Sequence, residues 1–347
     1  MRVGIFGNTG VGKSTLFRAL AGGGEGSSVS SRGAGVCTIK VPDERLDRLA
    51  FVYRPKKVTP VSITFVEIDP GEAALLPAET LTKIKGVDLL ALLLRGFSDD
   101  FHPAPPEGLK PLKEFRQIDS ELVVSDYLVA QKRIERMTKE ARRDTEWVVL
   151  HKAIEALEQE IPLRQLPLGP EENRILSGFR FVSQLPVLLV LNVAEGDLSA
   201  DPYPELAGAA SARGAGLVRL SASIEEEISR LPPEEQAVFL EEMGIRRSAR
   251  DQLVRGTLRA MDFICFMTVS EEEVRVWNVR RGTMAVHAAG KIHSDMERGF
   301  IRAEVIPCED FFRCGSMPKA KSEGKLRLEG KEYVVQDGDI VQVRFHV

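Results

Sequence analysis

The apolar positions change their spacing several times along the chain. Residues 2–6 make a short apolar strand that runs into a glycine-rich turn at 7–14, after which residues 15–21 take up helical spacing. Residues 61–68 alternate as a strand does. Residues 89–94 and 187–191 are unbroken apolar runs bounded by turns, the pattern of strands buried on both faces of a parallel sheet. Residues 217–220 suggest one more strand. Interleaved with helical stretches, these runs predict an α/β domain built on a mostly parallel, doubly wound sheet. The segment 22–35 is rich in Gly and Ser without periodicity and reads as a mobile loop.

Between residues 97 and 185 the pattern is different. Pro103, Pro105, Pro106 and Pro111 predict a stiff connector. Beyond it, Val123, Tyr127, Ala130, Ile134, Met137 and Ala141 recur at spacings of four and three. After a charged break at 142–144, Leu150, Ile154, Leu157 and Ile161 repeat that spacing. The pair predicts an antiparallel coiled-coil hairpin inserted into the α/β domain. From about Phe263 the chain predicts strands at 274–279, 333–335 and 340–347, the last after the turn Gln336-Asp337-Gly338-Asp339. That is the pattern of a small mixed α+β domain.

Composition narrows the classes. In 347 residues, 47 Lys and Arg stand against 51 Asp and Glu, a net charge of −4, which excludes a uniformly basic chain but leaves room for a local basic patch. No apolar run approaches the length of a membrane span. The first residues read as a strand entering a glycine loop rather than as a secretory leader. Cys37, Cys265, Cys308 and Cys314 lack CxxC spacing and fit reduced thiols in a cytoplasmic protein. His287 and His293 lack companion metal ligands and read as structural or surface residues.

The chemistry is concentrated near the N-terminus. Gly7-Asn8-Thr9-Gly10-Val11-Gly12-Lys13-Ser14 fits the pattern G-x-x-x-x-G-K-[ST], set between a strand and a helix. Glycines there let consecutive backbone N–H groups, as far as Thr15, turn inward around phosphate oxygens at the positive end of a helix. Lys13 is the catalytic cation that would reach the β- and γ-phosphates, and Ser14 the oxygen ligand for Mg2+. Thr38, in Val36-Cys37-Thr38-Ile39, is placed to be a mobile threonine that closes on the metal and supports catalysis. Glu67 and Asp69, at the end of the 61–68 strand, are both candidates for the carboxylate behind the metal.

Asn192-Val193-Ala194-Glu195, after the 187–191 strand, is the candidate base reader, and Ser221-Ala222 the loop that supports it. Guanine-binding loops usually read Asn-Lys-x-Asp. Here Val193 stands for the Lys and the longer Glu195 for the Asp. A carboxylate displaced by one methylene fits guanine poorly, whereas adenine offers an N6 donor.

Together these segments resemble the Obg-like ATPases of the YchF type. The resemblance rests on residues 7–15, Val36-Cys37-Thr38-Ile39, Asn192-x-x-Glu195, Ser221-Ala222, Asp119-Ser120-Glu121-Leu122, Gly299-Phe300-Ile301-Arg302-Ala303-Glu304-Val305 and the stretch 328–339. It covers essentially the whole chain. It implies a P-loop NTPase domain at 1–118 and 182–262, a helical coiled-coil insertion at 119–181, and a TGS-like β-grasp domain at 263–347. It also implies ATP preferred over GTP, Mg2+, slow hydrolysis, and association with ribosomes or RNA through basic residues such as Lys132, Arg136, Lys139 and Arg143. The expected protein is a cytoplasmic monomer without a membrane partner or a small-molecule substrate beyond the nucleotide. One stretch departs from the family pattern: residues 67–77 lack a glycine-rich second switch, and Asp69-Pro70-Gly71 stiffens what remains. That departure leaves open a nucleotide-binding scaffold with little hydrolysis.

Overall fold

The computed structural model describes residues 1–22, 27–29, 35–71, 76–245 and 247–346. In chain order its elements run β1 (Arg2–Phe6), α1 (Lys13–Gly22), β2 (Ser27–Val29), β3 (Val36–Lys40), α2 (Glu44–Tyr53), β4 (Lys57–Thr59), β5 (Ser62–Ile68), α3 (Ala78–Ile84) and β6 (Leu89–Gly96). Then come α4 (Pro111–Lys139), α5 (Thr145–Glu158), α6 (Pro170–Ser177), β7 (Val187–Val193), α7 (Pro204–Ala212), β8 (Ala215–Leu220), α8 (Ala222–Ser229), α9 (Pro233–Glu242) and α10 (Ala249–Ala260). The C-terminal part adds β9 (Phe263–Val269), β10 (Glu273–Arg280), α11 (Ala285–Ile292), β11 (Phe300–Pro307), β12 (Arg327–Glu329) and β13 (Asp339–Phe345).

Two compact units emerge. The first holds residues 1–39 and 63–260, the second residues 40–62 and 261–347. In the first, the strand order is β2-β3-β5-β1-β6-β7-β8. From β5 through β8 the pairings are parallel. At the other end β2 and β3 are antiparallel. The Gly35 carbonyl accepts the Glu67 N–H, and Thr38 lies opposite Thr64, so β3 also runs antiparallel to β5. Phe6, Ile68, Leu92, Leu94, Leu189 and Leu191 pack one sheet face against Phe115, Ile118 and Leu122 of α4 and Leu206 and Ala210 of α7. On the opposite face α1 packs beside α8, and α10 lies on β8. The mostly parallel, doubly wound sheet expected from the apolar runs is present.

The hairpin is present too, but its first helix begins earlier than the periodicity indicated. Pro111 opens α4 at its first turn, where a missing N–H costs nothing. The helix then runs unbroken for 29 residues. Val123, Ala130, Met137, Leu150, Ala153 and Leu157 form the hairpin's apolar seam. Ala141, assigned to that seam by spacing, instead makes the turn at φ 53°, and the Asp144 carboxylate caps α5 by accepting the Trp147 N–H.

In the second unit the order is β12-β11-β13-β9-β10-β4, a mixed sheet. α11 covers one face with Ala285, Ala288 and Ala289 against Ile264, Phe266 and Val279. α2 packs on the other, where Cys265, Met267, Val274 and Val276 project by alternation. Residues 40–62 therefore sit with the C-terminal sheet, although sequence order put them in the α/β domain. The cause is β4, which pairs in parallel with β10. Residues 333–335, expected as a strand, contribute only the isolated bridge Met284–Val334, because turns at 331–332 and 337–338 flank them closely.

Candidate functional site

The Phe6 end of β1 lies opposite Ile68 of β5 and Leu92 of β6, so residues 7–12 leave the sheet at its carboxyl edge, where such folds bind ligands. Gly10 and Gly12 hold φ of 79° and 95°, a left-handed conformation that side chains resist. A Cβ on Gly12 would stand 2.4 Å from the Asn192 amide nitrogen, and one on Gly7 2.4 Å from the Leu93 carbonyl. The loop thus needs its glycines for both conformation and space. The Lys13 ammonium donates to the Gly7 and Asn8 carbonyls at 2.8 and 2.9 Å, arching over the loop. Val11 is buried beneath it, Thr9 is exposed, and the Thr15 hydroxyl accepts from Arg18 at 3.2 Å.

Ser14 Oγ lies 3.4 Å from a Glu67 carboxylate oxygen. Asp69 is occupied differently: its carboxylate accepts the Gly71 N–H and its carbonyl accepts the Thr80 hydroxyl. Burial lowers the Lys13 ammonium below the ordinary lysine range, opposed by the negative charges of Asp69, Glu67 and Glu114. Thr38 stands apart from this group. It belongs to β3, and its hydroxyl pairs with that of Thr64, which sits opposite Arg2 at the far end of β1. The register puts Gly35 at Glu67, leaving Thr38 about 10 Å down the strand. Residues 30–34, which precede Gly35, and 72–75 of the expected second switch lie outside the described residues.

On the base side, Asn192 is nearly buried and uses both ends of its amide. Its Nδ2 donates to the Val11 carbonyl at 3.0 Å and its Oδ1 accepts the Ala222 N–H at 2.9 Å. It ties the glycine loop to the Ser221-Ala222 loop. A cleft of about 240 Å³ opens between them, lined by Gly10, Gly12, Thr15, Asn192, Val193, Ala194, Glu195, Ala222 and Ser223. Ser221 stays below it, its hydroxyl 3.1 Å from that of Ser223. A larger groove of about 1060 Å³ along β8 and α10 contains Glu195 but none of the glycine loop, so it is not the phosphate site.

Two contributors escaped the sequence. Phe97, Ser98, Asp99 and His102 line the same cleft, and the His102 ring stands 3.2 Å from where a Cβ on Gly10 would be. Asp99 accepts N–H groups from Phe101 and His102, while the Arg95 guanidinium holds the Phe97, His102 and Pro103 carbonyls. The signal was available: the loop after an apolar strand adjacent to β1 must emerge at the same sheet edge. The second is Glu114 in the first turn of α4, whose carboxylate accepts from Asn8 Nδ2 at 2.8 Å. No local motif marks it.

The remaining candidates are quieter. All four cysteines are buried and free, and burial pushes the Cys265 and Cys308 thiols up to about 12. His287 pairs with Glu297 and His293 with Asp295. On the hairpin, Arg133, Arg136 and Arg142 are neutralised by Glu146, Glu140 and Asp144. The Arg143 guanidinium lies 5.7 Å from the centre of the Trp147 ring. Among the described residues no cluster of three or more His, Cys, Asp or Glu could hold a metal alone. One hydroxyl and one carboxylate suit an ion that takes its other ligands from phosphate and water. No helix among the described residues is long and apolar enough to cross a membrane.

The chain can be set beside known proteins. A family model, YchF-GTPase_C, "Protein of unknown function (DUF933)", matches residues 263–346. The "Ribosome-binding ATPase YchF" of Bacillus subtilis is 36% identical across 100% of both chains. The protein of the same name from Haemophilus influenzae is 34% identical, covering 100% of this chain and 99% of its own. Among solved structures, the YchF GTPase of Schizosaccharomyces pombe superposes with a TM-score of 0.85 at 27% identity, covering 99% of this chain and 97% of that one. A GTP binding protein from Pyrococcus horikoshii OT3 shares the fold at a TM-score of 0.62 and 17% identity, with 100% of both chains covered.

Proposed function

The chain belongs to the YchF family of Obg-like ATPases, and from that membership we propose that it is a nucleotide-dependent switch that binds ATP in preference to GTP, hydrolyses it slowly and associates with ribosomes. The observation that carries the reading is the glycine loop: left-handed Gly10 and Gly12, Lys13 arched above them, and Ser14 beside Glu67. On nucleotide binding Lys13 exchanges its two carbonyl acceptors for phosphate oxygens, a charge-assisted trade that favours the ligand. Ser14, backed by Glu67 rather than Asp69, would hold Mg2+, which when bound neutralises charge on the phosphates.

Base selection rests on Val193 and Glu195 in the cleft, beside the bracing Asn192. The carboxylate of Glu195 is one methylene longer than the aspartate that takes two guanine N–H groups, which supports adenine. Ribosome association follows the names of the relatives, and the exposed Lys132, Lys139 and Arg143 supply sites for phosphate contact on the hairpin. Slow turnover is supported by the segment after β5, where Pro70 and the hydrogen bond from Thr80 to the Asp69 carbonyl restrain a stretch that should move with the γ-phosphate.

The test compares ATP with GTP, and the natural chain with Lys13→Ala, in equilibrium binding and multiple-turnover hydrolysis. ATP turnover lost in Lys13→Ala supports the proposal. GTP preference sinks the base assignment, and tight binding without turnover favours a hydrolysis-deficient scaffold. Sedimentation with ribosomes at rising salt checks the partner, with binding expected to weaken steeply as phosphate contacts are screened.

A further inference from the structure

Glu114 stands apart among the carboxylates of the first unit. It lies in the first turn of α4, yet its carboxylate is directed back at the segments that flank the phosphate site. Asn8, the second residue of the glycine loop, donates to it through its side-chain amide at 2.8 Å. The Asn8 and Arg95 backbone N–H groups face the same carboxylate and favour its charged form, and the Arg95 side chain organises the loop that presents His102 to Gly10. One carboxylate therefore faces the ends of both β1 and β6 and is bonded to the glycine loop through Asn8. Burial raises its proton affinity above the ordinary glutamate value, and these donors act against that rise.

A carboxylate beside a triphosphate site is unfavourable unless it has a positional task, because its charge repels the ligand. The geometry offers that task. Gly7 and Asn8 present the carbonyls that Lys13 grips, so where Asn8 lies decides where the ammonium starts and how the following N–H groups converge. We propose that Glu114 is a positioning residue for the nucleotide: it tethers Asn8 to α4 and so fixes the phosphate loop in its binding geometry. It touches neither nucleotide nor metal, and acts through Asn8. The inference rests on the nucleotide-binding reading above.

The experiment measures ATP affinity and steady-state hydrolysis for the full chain and for Glu114→Gln, Glu114→Asp, Asn8→Ala and the double variant Asn8→Ala/Glu114→Gln. Lys13→Ala serves as the non-binding reference. Asp126→Asn serves as a control for damage to α4, since Asp126 caps the 182–183 turn and does not contact the loop. Glu114→Gln should weaken ATP binding roughly tenfold, the scale of a lost charge-assisted hydrogen bond, and raise KM while kcat at saturating ATP stays within about threefold. Asn8→Ala should weaken binding by a smaller factor, and the double variant should be no weaker than Glu114→Gln, because both act on one tether. Glu114→Asp should recover part of the loss, and Asp126→Asn should lower the melting temperature without moving ATP affinity.

Glu114→Gln within twofold of the natural chain, or losses that multiply in the double variant, overturns the proposal. If Glu114→Gln fails to fold, Glu114→Asp decides: an unchanged KM makes the residue structural and overturns it, and a raised KM at unchanged melting temperature supports it. A natural chain that binds ATP no better than Lys13→Ala overturns the nucleotide reading itself, and this inference with it.

Discussion

The side-chain amide of Asn192 connects two loops that lie 211 positions apart in sequence, receiving from Ala222 and donating to Val11 from a nearly buried position. Asn192→Ala leaves a buried carbonyl and a buried N–H without partners, so it should destabilise the first unit by about 2–4 kcal/mol. It should also weaken nucleotide binding more than the lost contact area implies, since the Gly12 turn loses its backing. Thermal unfolding and ATP titration of the same preparation check both. At this scale the sequence was legible wherever contiguous residues encode the geometry. The glycine loop could be read because conformation and chemistry lie within eight positions. Thr38 could not, because its distance from the loop is set by the register of β3 on β5, which no local pattern states. Glu114 escaped for a related reason: its partner Asn8 lies 106 positions away.

Between elements, Glu225 carries a comparable lesson. It lies on α8, and its buried carboxyl accepts the Ala249 N–H at the start of α10. Burial raises its pKa from 4.5 to about 7. A group with a raised acid pKa holds its proton in the folded chain while the unfolded chain has released it. Its contribution to stability is therefore fully present below pH 4.5 and is lost as pH rises through about 7, a change of about 3 kcal/mol. Glu225→Gln keeps an acceptor for Ala249 without the charge. It should flatten that part of the pH dependence and melt higher than the natural chain at pH 8, as thermal unfolding from pH 4 to 8 would record. The elements themselves were largely visible in advance. The unbroken apolar runs became β6 and β7, and the four-three spacing became α4 and α5. What spacing hid was the start of α4, because residues 111–122 pack into the sheet core rather than the hairpin seam.

Across the whole molecule, chain order and spatial order part company at residues 40–62. Leu46 and Leu49 of α2 are buried, Tyr53 stacks on Phe311 at 5.6 Å, and Arg45 pairs with Asp337 at 2.8 Å. A fragment of residues 263–347 alone should therefore expose the sheet face that holds Cys265, Met267, Val274 and Val276. It should bind a hydrophobic dye and aggregate, and fusing residues 40–62 to it should restore a cooperative melt. A sequence reading tied to contiguous segments has no means of seeing such an exchange, since the β4–β10 pairing joins positions more than 200 apart. The unbroken helix α4 has a different consequence at this scale. Its 29 residues span about 43 Å, with Glu114 at one end and the hairpin turn at the other. A tilt of about 5° pivoting at the first turn sweeps the far end through about 4 Å. Taken in reverse, the helix is a lever: a weak, long-stroke load at the tip arrives at Asn8 as a short-stroke, strong one.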